Sequence, residues 1–389
     1  MKNKVMAVVL AAGLGTALLA GCGSSSSSGS SAADTTAPAS TAQTDASAAD
    51  TQSDAAQADT AAAEAGTETA AASGKEYKVG IVQYMDHASL NQITESAEKE
   101  LDAKGQELGV TFDYSDYFFN GEGDATTLNQ IAAQLKSDGV DAVIAIATPA
   151  AQIVQSTYEG DDTPIIFSAV TDPVGAGLVK SMDAPGANIT GTSDALNTEA
   201  IMNLIFAENP DAKSVGLLYS KSEDSSAKAI QEAKDFLDKK GVKYVEKTGT
   251  STDEVSQAAD ALIASGVDAV FTPTDNTIMN AELAIYEKFI KAGIPHYTGA
   301  DSFALNGAFL GFGINYKDLG KSTADITADV LVNGKDLATY PVVTFDNGIA
   351  TINTDTAKAL GIDLTKAEEA FKPYCSDIEE TTTAENFSN

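Results

Sequence analysis

The residues of this chain best suited to chemistry fall in six short polar stretches: Tyr84 to His87, Ala147 to Ala150, Ser168 to Asp172, Ser220 to Asp224, Thr272 to Asn276 and Thr298 to Ser302. Thr148 is followed by Pro149, Ala150 and Ala151, which read as the first turn of a helix. A hydroxyl there, with the free N–H groups behind it, makes an anion site and equally a plain helix cap. Thr171 can lend a second hydroxyl, whereas Asp172 stands before Pro173 and suits a turn as well as a ligand contact. Thr274, Asp275 and Asn276 repeat the loop-to-helix pattern, with Asp275 or Asn276 either capping the helix or facing a ligand. Asp301 is a further carboxylate, Tyr84 offers an aromatic face, and Tyr219 heads the Ser220 stretch.

Enzymatic chemistry is poorly supplied. The sequence has no Walker lysine loop, no zinc-spaced His/Cys cluster and no nucleophile elbow. His87 and His296, taken with Asp86 and Asp301, have the residue types of a metal site or an acid/base pair. The simpler reading makes His87 a loop side chain shaping a cleft and His296 a strand-edge residue. No metal and no cofactor are expected.

The elements that must position these stretches repeat. Gly139-Val140-Asp141-Ala142-Val143 recurs as Gly266-Val267-Asp268-Ala269-Val270, each reading as helix end, turn and buried strand, followed by a polar loop. Val79-Gly80-Ile81-Val82 is echoed at 215–218, and TPIIFSA (163–169) by GIPHYTGA (293–300). Apolar periodicity predicts strands at 77–84, 110–117, 140–147, 164–169, 188–194, 214–219, 243–247, 267–272, 294–298 and 308–313, with helices between most of them. Ser251 and Glu254 form a capping box, and Asp346-Asn347-Gly348 signals a hairpin. This is an α/β chain of two Rossmann-like lobes with parallel sheets, ligand bound beyond the carboxyl ends of the strands. The lobes are expected at 76–190 plus 316–335 and at 191–315 plus 336–372, joined near 188–194, 312–317 and 333–342. A flexible tail is expected over 373–389.

Composition bounds the partners. The chain has 389 residues and a net charge of −32; all 24 basic residues are lysine. Such a surface repels nucleic acid, and without arginine an anionic ligand must be held by backbone N–H groups, hydroxyls or lysine. Residues 1–21 read as a signal peptide: Lys2 and Lys4, an apolar run, then Leu19-Ala20-Gly21 before Cys22. Small residues ahead of a cysteine resemble a bacterial lipobox, with Cys22 lipidated and the mature protein anchored on the outer face of the cell membrane. Residues 22–75 form a Ser/Ala/Thr-rich tether expected to stay disordered and to reach about 40 Å, as suits a Gram-positive cell. Cys375 then lacks an intramolecular partner.

Four phrases in order, IAIATPAAQ, FSAVTDPVGAGLV, GANITGTSD and FTPTDNTI, together with MDHASLN at 85–91, resemble the ABC transporter substrate-binding lipoproteins that take tryptophan, tyrosine or phenylalanine. The likeness covers residues 77–362 and is weaker around GADSFALNGAF (299–309). It implies a type I periplasmic-binding-protein fold, a monomer delivering a small amino acid to an ABC permease, and a ligand in the interlobe cleft. In that reading the carboxylate sits at Thr148–Ala151 with Thr171, the ammonium faces Asp275 or Asp301, and the side chain packs on Tyr84. A sugar or polyol receptor on the same fold and a tethered extracellular enzyme remain the alternatives.

Overall fold

The computed structural model describes residues 74–346 and 348–387. The expected signal segment, Cys22, all but the end of the tether, and Asn347 lie outside the described residues.

The first sheet is built from β1 (Glu76–Gln83), β2 (Thr111–Asp113), β3 (Phe118–Asn120), β4 (Ala142–Ile146), β5 (Ile165–Ser168) and β6 (Ile189–Ser193). α1 (Ala88–Leu108), α2 (Ala125–Asp138) and α3 (Thr148–Thr157) connect them. After β6 come α4 (Thr198–Glu208), β7 (Ser214–Tyr219), α5 (Asp224–Lys240), β8 (Lys243–Thr248), α6 (Thr252–Ala264) and β9 (Ala269–Thr272). The second lobe continues with α7 (Asn276–Ala292), β10 (His296–Thr298), α8 (Asp301–Leu305) and β11 (Leu310–Gly313). The chain then returns through α9 (Tyr316–Leu331) and β12 (Val343–Thr344), and ends with β13 (Ile349–Asn353), α10 (Thr354–Leu360), α11 (Leu364–Phe371) and β14 (Asp377–Thr381).

The first sheet has the order β12-β6-β5-β4-β1-β2, with β3 also paired to β1; the second has the order β14-β13-β11-β10-β9-β7-β8. All pairings are parallel except β11 with β13. This is the expected two-lobed α/β architecture, each sheet covered by helices on both faces. Ile93, Leu101, Leu319 and Ile326 of α1 and α9 pack on one face of the first sheet. Leu128, Leu135 and Val154 of α2 and α3 pack on the other.

The repeated phrase has one job in both lobes. Gly139 and Gly266 take positive φ (64° and 67°), the left-handed turn after a helix that glycine adopts without strain. The valine that follows is buried. The aspartate then staples the next strand in: Asp141 Oδ2 accepts from Lys78 N at 2.8 Å, and Asp268 Oδ2 accepts from Lys213 N (2.8 Å) and Ser214 N (3.0 Å).

Several expectations are corrected. The strand read at 110–117 is confined to Thr111–Asp113, because Tyr117 N turns back to Tyr114 O before β3 begins at Phe118. The hairpin read at Asp346-Gly348 does not form: β12 pairs with β6 and β13 with β11, in different sheets. The last passage between sheets therefore falls after Thr344, later than 333–342, since Val342 is buried with the first lobe. The tail read as loose beyond Tyr374 instead contributes β14, parallel to β13. Asn306 Nδ2 donates to Ala384 O, and Ala384 N to Leu305 O, both at 2.8 Å, which ties the tail to α8.

Candidate functional site

In the first sheet the strand order β6-β5-β4-β1 lines up the loops beyond the carboxyl ends, so Asp194, Thr171, Thr148 and His87 stand side by side. The second lobe brings Thr274, Asp275, Asn276 and the start of α8 against them. Between the two lies a tight, largely filled cavity lined by both lobes. Polar atoms of Thr148, Thr171, Asp194, Asp275 and His87 share its wall with the apolar side chains of Leu90, Met279, Phe303 and Tyr316.

The lobes touch around this cavity. His87 Nε2 lies 3.1 Å from Asn276 Oδ1. Ser89 Oγ donates to Asp301 Oδ1 at 2.9 Å and lies 2.7 Å from Ser302 Oγ. At the rim Gln152 Nε2 donates to Asp224 Oδ2 at 2.8 Å. The cleft is closed.

At the centre, α3 begins without a side-chain cap, because its N-cap is Ala147. Ala147 holds a positive φ of 79°, a conformation L-residues avoid. Thr148 is 2% exposed, and its Oγ has no partner. An uncapped helix start beside an idle buried hydroxyl has the donors that an anion site uses.

Asp194 was missed by sequence reasoning. It ends GANITGTSD, a phrase that reads as a linking strand. It is 3% exposed. Its Oδ1 accepts from Thr171 Oγ at 3.0 Å and its Oδ2, more weakly, from Tyr316 OH at 3.4 Å. Burial raises its pKa to about 6 and outweighs the hydroxyls, which pull the other way. It has no ion-pair partner among the described residues.

Asp275 lines the cavity, yet its carboxylate is already committed. Oδ1 accepts from Ile278 N at 2.9 Å as the N-cap of α7; Oδ2 accepts from Ser220 N (2.7 Å) and Ser226 Oγ (2.6 Å). Glu223 is buried beside it, and its pKa is raised by burial first and by the Asp275 charge second. Asn276 Nδ2 donates to Glu223 Oε2 at 3.0 Å.

Of the residues singled out from sequence, His87, Thr148, Thr171, Thr274, Asp275 and Asn276 meet at this cavity. Tyr84 and Pro149 line an outer hollow between the lobes, with Thr277 across from them. Tyr219 is buried in the core of the second lobe, away from this cavity, and donates to Glu246 Oε2 at 2.9 Å. Ala150 and Ala151 are wholly buried in the first lobe. Asp86 is exposed and accepts from Asn91 Nδ2 at 2.6 Å, while Asp172 accepts from Gly175 N at 3.0 Å, its turn role. Asp301 lines a separate hollow with Lys317. The apolar wall is Phe303, Met279 and Leu90 where Tyr84 was expected. His296, read as a strand-edge residue, is interior to the second sheet, with Nδ1 3.0 Å from Glu282 Oε1 and Nε2 2.8 Å from Thr272 Oγ.

Two α/β lobes closed over a small polar cavity at their strand ends define a solute-binding protein. The chain matches the family described as ABC transporter substrate binding protein over residues 78–371, and it belongs to that family. It is 34% identical over 296 residues to the tyrosine-binding protein of Clostridioides difficile, covering 76% of this chain and 84% of that one. A Streptococcus pneumoniae domain solved in complex with L-Trp is 33% identical, with a TM-score of 0.71 over 78% of this chain and all of that one. The ligand-free, open structure of a substrate binding protein with adhesive properties from Clostridium difficile is 32% identical. It has a TM-score of 0.60 over 79% of this chain and all of that one. At nearly equal identity the complexed form superposes better, in keeping with the closed cleft seen here.

Proposed function

We propose that this protein is the extracytoplasmic receptor of an ABC importer and that its cavity takes an aromatic amino acid. The observation that carries the reading is the pairing, within one closed cavity, of an idle hydroxyl at an uncapped helix start with a buried carboxylate that lacks a cation. A zwitterion answers both. Its carboxylate sits on the α3 N-terminus and Thr148, donors that need no arginine. Its ammonium faces Asp194, and its side chain lies among Leu90, Met279, Phe303 and Tyr316. The tyrosine-binding and tryptophan-complexed relatives support the aromatic class. Calorimetric titration of tyrosine, tryptophan, phenylalanine, leucine and a sugar panel tests it. At least one aromatic amino acid should bind and no sugar should; a bound sugar with silent amino acids would overturn the reading.

The family works outside the cytoplasm, and no helix among the described residues is long and apolar enough to cross a membrane. Lys2, Lys4 and the Leu19-Ala20-Gly21-Cys22 phrase support a lipid anchor on Cys22. Cys22→Ser should leave the precursor uncleaved or release folded protein from the membrane fraction. Normal processing with full membrane retention would sink the anchor assignment.

A further inference from the structure

A polar chain crossing the cleft fixes the tautomer of His87. Asn276 Nδ2 donates to Glu223 Oε2, which turns Asn276 Oδ1 toward the first lobe. A carbonyl oxygen only accepts, so His87 Nε2, 3.1 Å away, carries the ring proton. Burial lowers the imidazole pKa to about 4, and the neutral ring then presents Nδ1 as an acceptor. That nitrogen is shielded from solvent and has no partner. Nor is it spent on the backbone: His87 is the N-cap residue of α1, yet its side chain makes no cap bond. A shielded acceptor on a residue lining the cavity is completed by a donor on the ligand.

Strand order says which donor. The groups proposed to hold the ligand's carboxylate and ammonium follow β4, β5 and β6, whereas His87 follows β1 on the opposite flank. Neighbouring strands lie about 4.8 Å apart, so His87 stands one to three spacings from those anchors, about the reach of an aromatic side chain. We propose that His87 Nδ1 reads the far end of the ligand side chain, accepting a hydrogen bond from a phenolic O–H or an indole N–H, and so discriminates against phenylalanine. This rests on the aromatic amino acid reading above. Asn276 and Glu223 are positioning residues that hold the acceptor in place.

Calorimetry on the folded wild-type protein compares tyrosine with phenylalanine and O-methyltyrosine, and tryptophan with 1-methyltryptophan. The better binder of the first members should lose at least about tenfold in affinity when its donor is removed. In His87→Leu the ratio of donor-bearing to donor-free affinity should fall toward one. In ¹⁵N spectra of the imidazoles, His87 Nδ1 should resonate as an unprotonated nitrogen. Equal wild-type affinities, an unchanged ratio in His87→Leu, or a protonated Nδ1 would each overturn the proposal. A protonated Nδ1 would mean that the Asn276 amide is reversed and Glu223 donates to it. Failure of the parent reading looks different: no aromatic amino acid would then bind the wild-type protein at all.

Discussion

Asp194→Asn is expected to weaken binding of the aromatic amino acid by about thirtyfold or more, while the fold survives. Removing one member of a buried ion pair typically costs about 2–5 kcal/mol, because the ligand ammonium is left desolvated and unpaired. The fold survives because both donors to Asp194 are hydroxyls, of Thr171 and Tyr316. A hydroxyl can turn and accept from the new amide instead. The same residue makes binding pH-dependent. Its pKa in the empty protein is raised to about 6 by burial, and the ammonium binds only its ionised form. Affinity should therefore rise with pH up to about 6 and level off above it. Other buried carboxylates titrate as well, so the diagnostic is the difference between wild type and Asp194→Asn. The wild type should lose affinity from pH 7 to pH 5 more steeply than the variant. Parallel profiles, or tight binding by Asp194→Asn, would remove Asp194 from the ammonium site.

Much of the fold was legible because its signals are local. The Gly-Val-Asp-Ala-Val phrase declares a helix end, a turn and a buried strand through a left-handed glycine and a stapling carboxylate, and both act within one strand pair. One cap was equally readable: Ser251 accepts from Glu254 N. What failed depends on distant partners. Asp346-Asn347-Gly348 has hairpin chemistry, but its flanking strands find edges in different sheets. The acidic tail has few apolar residues of its own, and pairing with β13 and the bonds from Asn306 and Asn353 order it.

The candidate site was half legible for a related reason. The rule that ligands bind beyond strand ends located Thr148, Thr171, Asp275, Asn276 and His87, because strand ends can be found by pattern. It did not rank them. Asp194 follows a strand of threonine, glycine and serine whose polarity reads as a linker, and only the burial of that strand between β5 and β12 marks the carboxylate as a candidate. Phe303, Met279 and Leu90 occupy apolar helix positions indistinguishable in sequence from ordinary core. Tyr84, an obvious aromatic candidate, is turned to the outer hollow instead. Nothing in the local sequence shows which way a side chain faces across a cleft.

Asp275 is expected to hold the second lobe together, and Asp275→Ala should destabilise the protein by about 3 kcal/mol or more. The carboxylate accepts from the backbone N–H groups of Ser220 and Ile278 and from Ser226 Oγ, joining the end of β7 to the starts of α5 and α7. The Ser226 hydroxyl can find another partner, but the two backbone donors cannot reverse, and each buried donor left unpaired costs about 1–3 kcal/mol. An opposing gain exists, since removing Asp275 relieves its repulsion with Glu223. The two lost backbone bonds and the lost helix cap outweigh it. Asp275→Asn should not rescue fully: its oxygen can serve Ile278 N, but its NH₂ then meets Ser220 N–H, donor against donor. The sign of the pH effect follows from burial, which raises the Asp275 pKa above that of the unfolded chain. A group raised in this way contributes most below its unfolded pKa, and its contribution shrinks as pH rises through the folded value. The stability gap between wild type and Asp275→Ala should therefore be wider at pH 5 than at pH 8. Urea unfolding at both pH values measures it. A variant as stable as wild type, or a gap that widens with pH, would show that Asp275 is not the clamp and return it to candidacy as a ligand contact.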